Sequence, residues 1–122
     1  MATIDITKTT FDDTITENSI VLVDFWAGWC GPCRMFAPTF TAASENHPDI
    51  VFAKVDTEAE QELAAAAGIR SIPTLMAFRD KILVFSQPGA LSSSSLDELS
   101  SGVRDLDMDG VRAKIASQEV AS

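Results

Sequence analysis

Two cysteines, Cys30 and Cys33, stand three positions apart and are the only cysteines in the 122-residue chain. The apolar run Ile20–Trp26 precedes them, and residues 34–46, which have helical character, follow them. The pair therefore lies where a buried strand passes into a helix. Side chains three apart on a helix have Cβ atoms about 5–6 Å apart, and a disulfide needs Cα atoms about 4.4–6.8 Å apart. The two sulfur atoms can therefore bond or separate with little backbone movement.

Cys30 occupies the start of the predicted helix, where unpaired backbone N–H groups favour a negative charge. We therefore expect its thiol to be held partly as thiolate, the form that attacks a disulfide. Between the cysteines, Gly31 places no side chain in front of an approaching partner. Pro32 fixes φ at a position whose N–H would be unpaired in any case. These features predict a redox-active pair.

Two other interpretations of the cysteine pair remain. A zinc site needs four ligands, and His47 is the only further nitrogen or sulfur candidate in the sequence. Turn-forming residues surround His47, so we expect it to be a solvated loop residue. A purely structural disulfide would close a very short loop and stabilise the fold little. Neither interpretation uses the helix-start position of Cys30, and we predict no bound metal or organic cofactor.

Two charged residues interrupt otherwise apolar strands. Asp24 lies within Ile20–Trp26, and Lys54 lies within residues 50–56. Burial disfavours a carboxylate and raises its pKa, and a buried ion is tolerated best when it is paired. We expect a buried Asp24 beneath the cysteines, partnered by Lys54 and able to take the proton of Cys33. Alternatively, Asp24 begins a solvated loop, and Lys54 extends to solvent from a strand end.

The segment around the cysteines resembles the active site of the thioredoxin family; it reads Trp26-Ala27-Gly28-Trp29-Cys30-Gly31-Pro32-Cys33. A second stretch, Ile72-Pro73-Thr74, resembles the other signature of that family. The resemblance covers residues 3–106 and implies a buried aspartate at Asp24 and a nearby lysine at Lys54. It also implies a cis bond before Pro73, and a reducing potential favoured by Gly31 and Pro32. The substrate-binding surface that it implies consists of Trp29, Ile72, Pro73 and Gly89.

The order of the elements predicts an α/β fold. Strand, helix, strand, helix and strand are followed by a helix, a hairpin and a last helix. Right-handed crossovers make the early strands parallel, and the hairpin adds antiparallel ones. We therefore expect the thioredoxin fold, with a mixed five-stranded central sheet and helices on both faces. The domain should span residues 1–106, and residues 107–122 should form an extension that is a short helix or a disordered tail, with fraying from Gln118.

Several local signals predict where elements begin. Thr10 and Thr57 are expected to cap helices from their hydroxyls, and Ser94 or Ser95 should cap the last helix of the domain. The hairpin turn, at residues 79–81, lacks the glycine that is common there. Lys81 must therefore take φ > 0, or the loop is built differently.

The predicted function is reduction of protein disulfides, in which Cys30 attacks and Cys33 resolves. The resemblance implies an NADPH-dependent flavoprotein, thioredoxin reductase, as the electron donor. An oxidant or isomerase of the same fold, or a binding module without redox turnover, remains an alternative.

Charge and composition bear on partners and location. The formal charge of −9 argues against nucleic-acid binding. Residues 1–5 give no sign of a signal peptide, and no apolar run approaches the roughly 20 residues of a membrane span. A chain with so few cysteines suits a reducing compartment. We expect a cytoplasmic monomer.

Overall fold

The computed structural model describes residues 2–121, and the side chains of residues 2–118. Within that span the chain forms five strands and five helices. In chain order they are β1 (Thr3–Asp5), α1 (Phe11–Glu17), β2 (Ile20–Trp26), α2 (Gly31–Asn46), β3 (Val51–Asp56), α3 (Gln61–Ala66), β4 (Thr74–Arg79), β5 (Ile82–Pro88), α4 (Ser93–Arg104) and α5 (Met108–Ala121).

The strands form one mixed sheet with the order β1-β3-β2-β4-β5. Strands β1 and β2 both pair with β3 in parallel, while β4 pairs antiparallel with β2 and with β5. The predicted five-stranded mixed sheet is therefore confirmed. Strand β2 lies in the middle, so the residues that follow its carboxyl end emerge from the centre of the sheet.

Alternating side chains of β2 enter two separate hydrophobic cores, one on each face of the sheet. Ile20 and Leu22 pack with residues of α2 and α4. Val21, Val23 and Phe25 pack with residues of α1 and α3 on the opposite face. Because both faces are covered, the whole strand can be apolar, as its sequence indicates.

The hairpin turn between β4 and β5 is made by two residues with positive φ. Asp80 has φ 52° and Lys81 has φ 73°. The expectation of positive φ at Lys81 is confirmed, and Asp80 shares it, as a two-residue turn of type I′ requires. The Asp80 N–H donates to the Ser19 carbonyl at 2.8 Å, which ties this turn to the start of β2.

The predicted helix caps are wrong in detail. Thr10 precedes α1 but makes no side-chain cap, because its Oγ1 accepts the Thr7 N–H at 2.9 Å. Thr57 lies outside α3 and donates its hydroxyl to the Trp26 carbonyl. The cap of α4 is Ser92, whose Oγ accepts the Ser95 N–H at 3.2 Å.

The prediction that His47 is a solvated loop residue is also wrong, since its side chain is only 12% exposed. Its Nε2 lies 3.0 Å from Asp97 Oδ1, and its Nδ1 lies 3.0 Å from Arg104 Nη2. Its ring stacks on Phe52. Because arginine only donates, Nδ1 accepts from Arg104, and the Nε2–H group donates to Asp97 Oδ1. His47 joins the end of α2 to α4.

Beyond residue 106 the chain forms α5, which continues to Ala121. The fraying expected from Gln118 is therefore not seen as far as Ala121, and Ser122 lies outside the described residues. Met108, at the start of α5, is buried, and Arg112 Nη2 contacts Asp80 Oδ2 at 3.0 Å. The division of the chain at residue 106 stays a prediction. Between residues 2 and 121, none of the helices combines the length and hydropathy needed to cross a bilayer.

Candidate active site

Cys30 is the N-cap residue of α2, and Cys33 lies in the first turn of that helix. The structure joins them as a disulfide, with Cα atoms 5.2 Å apart. The Cys33 N–H donates to Cys30 Sγ at 3.2 Å. Cys30 is 4% exposed and Cys33 is 2% exposed, and both pack with Ala27, Trp26 and Ile72. The Cys30 sulfur therefore lies at a helix start in a largely apolar setting. A helix-start N–H aimed at that sulfur favours a negative charge on it.

Three hydrogen bonds hold the turn that carries Cys30. The Cys30 N–H donates to the Ala27 carbonyl, and the Arg34 N–H donates to the Cys30 carbonyl. The Arg34 guanidinium donates from Nη1 to the Gly28 carbonyl at 2.8 Å. The first turn of α2 therefore anchors the loop that leads into it.

Asp24 is fully buried in β2, and among the described residues neither of its carboxyl oxygens has a hydrogen-bond partner. Burial raises the pKa of Asp24 to about 6, and the positive charge of Lys54 opposes that rise. The alternative that Asp24 begins a solvated loop is wrong. A carboxyl with this pKa can change protonation state near neutral pH.

Lys54 stands opposite Asp24 in the register of β3 and β2. Its ammonium does not form an ion pair with Asp24, however, and lies 4.9 Å from the centre of the Trp26 ring. The side chain is half-buried. Lys54 therefore acts on Asp24 through its field rather than through a direct bond, which corrects the expectation of a contact pair.

A cavity of about 460 Å³ opens beside the disulfide. Trp29, Cys30, Gly31 and Pro32 line one part of it, and residues 69–72 line another. The Ile72 carbonyl lies 3.8 Å from Cys30 Sγ, so the fold brings the two predicted motifs together.

Trp29 is 68% exposed, and its indole N–H donates to Glu58 Oε1. The sequence analysis did not single out Glu58 or Arg34, because no motif links them to the cysteines. Arg34 lies in the first turn of α2, and Glu58 lies in the turn between β3 and α3, which the fold brings beside Trp29.

Pro73 follows a cis peptide bond from Ile72, as the resemblance implied. The Gly89 N–H donates to the Pro73 carbonyl at 2.8 Å, and Gly89 has φ 99°, which glycine adopts readily. Both residues lie beside the cavity rather than in its lining. Among the described residues, no three His, Cys, Asp or Glu side chains are grouped so as to hold a metal ion.

A cysteine pair at a helix start, beyond the carboxyl end of the central strand of a mixed sheet, is characteristic of thiol–disulfide oxidoreductases. Residues 2–101 match the family model described as Thioredoxin. The chain belongs to the thioredoxin family and is a protein-disulfide reductase of that family.

Relatives with known names agree with this assignment. A Streptomyces coelicolor protein named for thioredoxin is 53% identical over 118 residues, covering 97% of this chain and 88% of that protein. Thioredoxin 1 of Synechococcus elongatus is 46% identical over 93 residues, or 75% of this chain and 87% of that protein. The solved structure of a mutant thioredoxin from Halobacterium salinarum superposes with a TM-score of 0.79 at 36% identity, covering 85% of this chain and 91% of that one.

Proposed function

We propose that Cys30 is the attacking thiol and Cys33 the resolving thiol in the reduction of protein disulfides. The observation that carries this assignment is the Cys33 N–H donated to Cys30 Sγ at 3.2 Å, at the start of α2. That position stabilises a thiolate on Cys30, whereas Cys33 lies within the first turn of α2, where its backbone N–H donates to Cys30 Sγ.

Two exchange steps follow from this assignment. The Cys30 thiolate attacks one sulfur of a substrate disulfide, forms a mixed disulfide and releases the other substrate sulfur as thiolate. The Cys33 thiolate then attacks the Cys30 sulfur, which forms the Cys30–Cys33 disulfide and releases the second substrate thiolate. The substrate gains two electrons, and the two cysteines lose them.

Asp24 is proposed to serve the second step as the proton acceptor. The Cys33 thiol must lose its proton before it attacks, and a carboxyl with a pKa of about 6 can take that proton near neutral pH. Lys54 keeps the Asp24 pKa from rising further, because its charge favours the carboxylate.

The surface around the disulfide is proposed to dock an extended segment of the substrate. Trp29 and Ile72 line the cavity beside Cys30. The backbone of Ile72 can pair with the substrate in the manner of an added strand. Pro73 and Gly89, which are joined by a backbone hydrogen bond, support that edge. Gly31 and Pro32 are proposed to favour the reducing direction.

The oxidised pair needs two electrons for the next cycle. We propose that thioredoxin reductase, an NADPH-dependent flavoprotein, supplies them, since this family generally works with such a reductase. We further propose that the chain acts as a cytoplasmic, monomeric electron carrier without nucleic-acid or membrane partners. The formal charge of −9 and the small number of cysteines support this setting.

Trapping of the mixed disulfide tests these roles. A Cys33→Ser variant should accumulate a covalent adduct with a protein disulfide substrate, while Cys30→Ser should form little or none. With both cysteines present, Asp24→Asn should slow the release of the mixed disulfide by Cys33 more than it slows the formation of that disulfide by Cys30. Adducts formed equally through either cysteine would overturn the assignment of Cys30 and Cys33.

Equilibration with glutathione tests the direction of the reaction. Ready oxidation of glutathione by the disulfide form would favour an oxidant or isomerase. Full biological activity in a Cys30→Ser, Cys33→Ser double variant would instead favour a binding module without redox turnover.

A further inference from the structure

A second cavity adjoins the one beside the disulfide. Its volume is about 220 Å³, and its walls come from the end of α3, the start of β4 and the end of β5. Ile69, Arg70 and Ser71 line both cavities, so this short segment divides them. A substrate segment that lies across Ile72 therefore passes the Arg70 side chain.

Arg70 is exposed, and among residues 2–118 no hydrogen bond or ion pair engages its guanidinium. Other arginines are used inside the fold: Arg104 binds Asp49, and Arg112 binds Asp80. The chain carries 18 acidic and 9 basic side chains. An arginine without an acidic partner, on the rim of the reactive site, is therefore available to a partner molecule.

Backbone interactions fix the segment around Arg70, so the Arg70 side chain is not needed to hold that segment in place. Gly68, with φ 72°, ends α3, and the Ile69 N–H donates to the Ala64 carbonyl at 3.0 Å. On the other side of the cavity, the Trp29 indole N–H engages Glu58, and no other acidic side chain among residues 2–118 bonds to the cavity lining. Arg70 is thus free of both a structural role and a competing acid.

We propose that Arg70 is a specificity-determining contact, which binds an acidic side chain of the protein substrate beside the disulfide under attack. The planar guanidinium matches a carboxylate in a paired, two-bond geometry. This inference rests on the proposed attack by Cys30.

The position of Arg70 also limits where the acidic residue can lie. Arg70 is two residues from Ile72, whose carbonyl is 3.8 Å from Cys30 Sγ. Extended chain spans at most about 3.3–3.6 Å per residue. The acidic residue therefore lies within two or three positions of the substrate cysteine.

Matched disulfide peptides test the proposal. Three peptides would differ only in carrying Glu, Gln or Lys two positions from the cysteine, and the rate constant for their reduction by the reduced protein would be measured. We expect the Glu peptide to react about two- to fivefold faster than the Gln peptide, the range of an exposed ion pair. The preference should disappear in Arg70→Gln, and in Arg70→Glu it should shift to the Lys peptide.

The control is Lys114→Gln, which removes one positive charge from an exposed position on α5. It should keep the preference for Glu, because only the net charge changes. In roughly 1 M salt the preference should weaken in the wild type. Equal rates for the Glu and Gln peptides in the wild type, or equal losses in Arg70→Gln and Lys114→Gln, would overturn the proposal. A wild type that reduces none of the peptides would instead contradict the proposed function itself.

Discussion

Asp24 and Lys54 face each other across β2 and β3, yet neither a hydrogen bond nor an ion pair joins them. The Lys54 ammonium lies over the Trp26 ring, 4.9 Å from its centre. The carboxyl is therefore buried without a bonded partner and feels the lysine only as a nearby charge. This arrangement keeps its pKa at about 6, where a proton can be taken up or released close to neutral pH.

The buried charge of Asp24 should make the stability of the protein depend on pH. The folded-state pKa of about 6 lies above the usual aspartate value of about 3.9, so the folded state binds this proton more tightly than the unfolded chain does. Stability should therefore fall as pH rises from about 4 to above 6. Two pKa units correspond to about 3 kcal/mol at most.

Replacing Asp24 by asparagine removes this charge, so we expect Asp24→Asn to be more stable than the wild type at about pH 7.5. The gain should shrink toward about pH 4, where the wild-type carboxyl is protonated in the folded state. Urea unfolding at the two pH values measures this, with the exposed Asp5→Asn as the control. A gain of the same size at both pH values would contradict the explanation.

Lys54→Met should raise the pKa of Asp24 above its present value of about 6, because the lysine charge opposes the effect of burial. Methionine keeps an unbranched apolar side chain over Trp26 while removing the ammonium. Titration of the Asp24 carboxyl carbon by NMR would show the change, and Lys114→Met provides the same substitution on α5. An unchanged or lower pKa in Lys54→Met would mean that the lysine charge does not reach the carboxyl.

Much of the fold could be predicted because burial on both faces leaves a strong pattern. Strand β2 is apolar except for Asp24, and its bounds, Ile20–Trp26, match the run read from the sequence. The sequence predicts the cap of α1 at the right residue, Thr10, but with the wrong hydrogen bond, and it does not predict the start of α3, because the N-cap there is Glu60 rather than Thr57. Thr10 and Thr57 have the right chemistry for caps, but their hydroxyls bond to Thr7 and to Trp26 instead.

The candidate site shows the same division. Cys30 and Cys33 need only three positions of chain to meet, so their spacing is sufficient to predict the geometry. The neighbours of His47 and Trp29 come from distant parts of the chain, as in the bond from Trp29 to Glu58. Such contacts depend on how distant segments of the chain come together in the fold, and no local pattern marks them.

The hairpin turn should tolerate, and gain from, a glycine at Lys81. Lys81 has φ 73°, which costs a side-chain-bearing residue about 1–2 kcal/mol. Glycine removes that cost but adds freedom to the unfolded chain, worth roughly 0.5–1 kcal/mol. We therefore expect Lys81→Gly to stabilise the protein by up to about 1 kcal/mol in urea unfolding. Lys114→Gly, within α5, should not stabilise it, and a loss of stability in Lys81→Gly would contradict the strain argument.

Arg79 closes the end of α4. Its Nη1 donates to the Val103 carbonyl at 2.8 Å and to the Arg104 carbonyl at 3.0 Å. Arg79→Met would leave these carbonyls without that donor, at a cost of about 1–3 kcal/mol. Arg70→Met is the matched control, since Arg70 makes no such bond, and urea unfolding should show little change for it. Similar losses in both variants would refute the capping role.

Trp26 and Trp29 are the only tryptophans, and the chain has no tyrosine. Trp26 packs against the cysteine cluster, and Trp29 lines the cavity beside it. Ultraviolet emission from the indole rings therefore originates entirely at the reactive end of the molecule. Intrinsic tryptophan fluorescence therefore reports on the reactive end, and the rate of the protein's reaction with other molecules can be measured by stopped-flow fluorescence without an added dye.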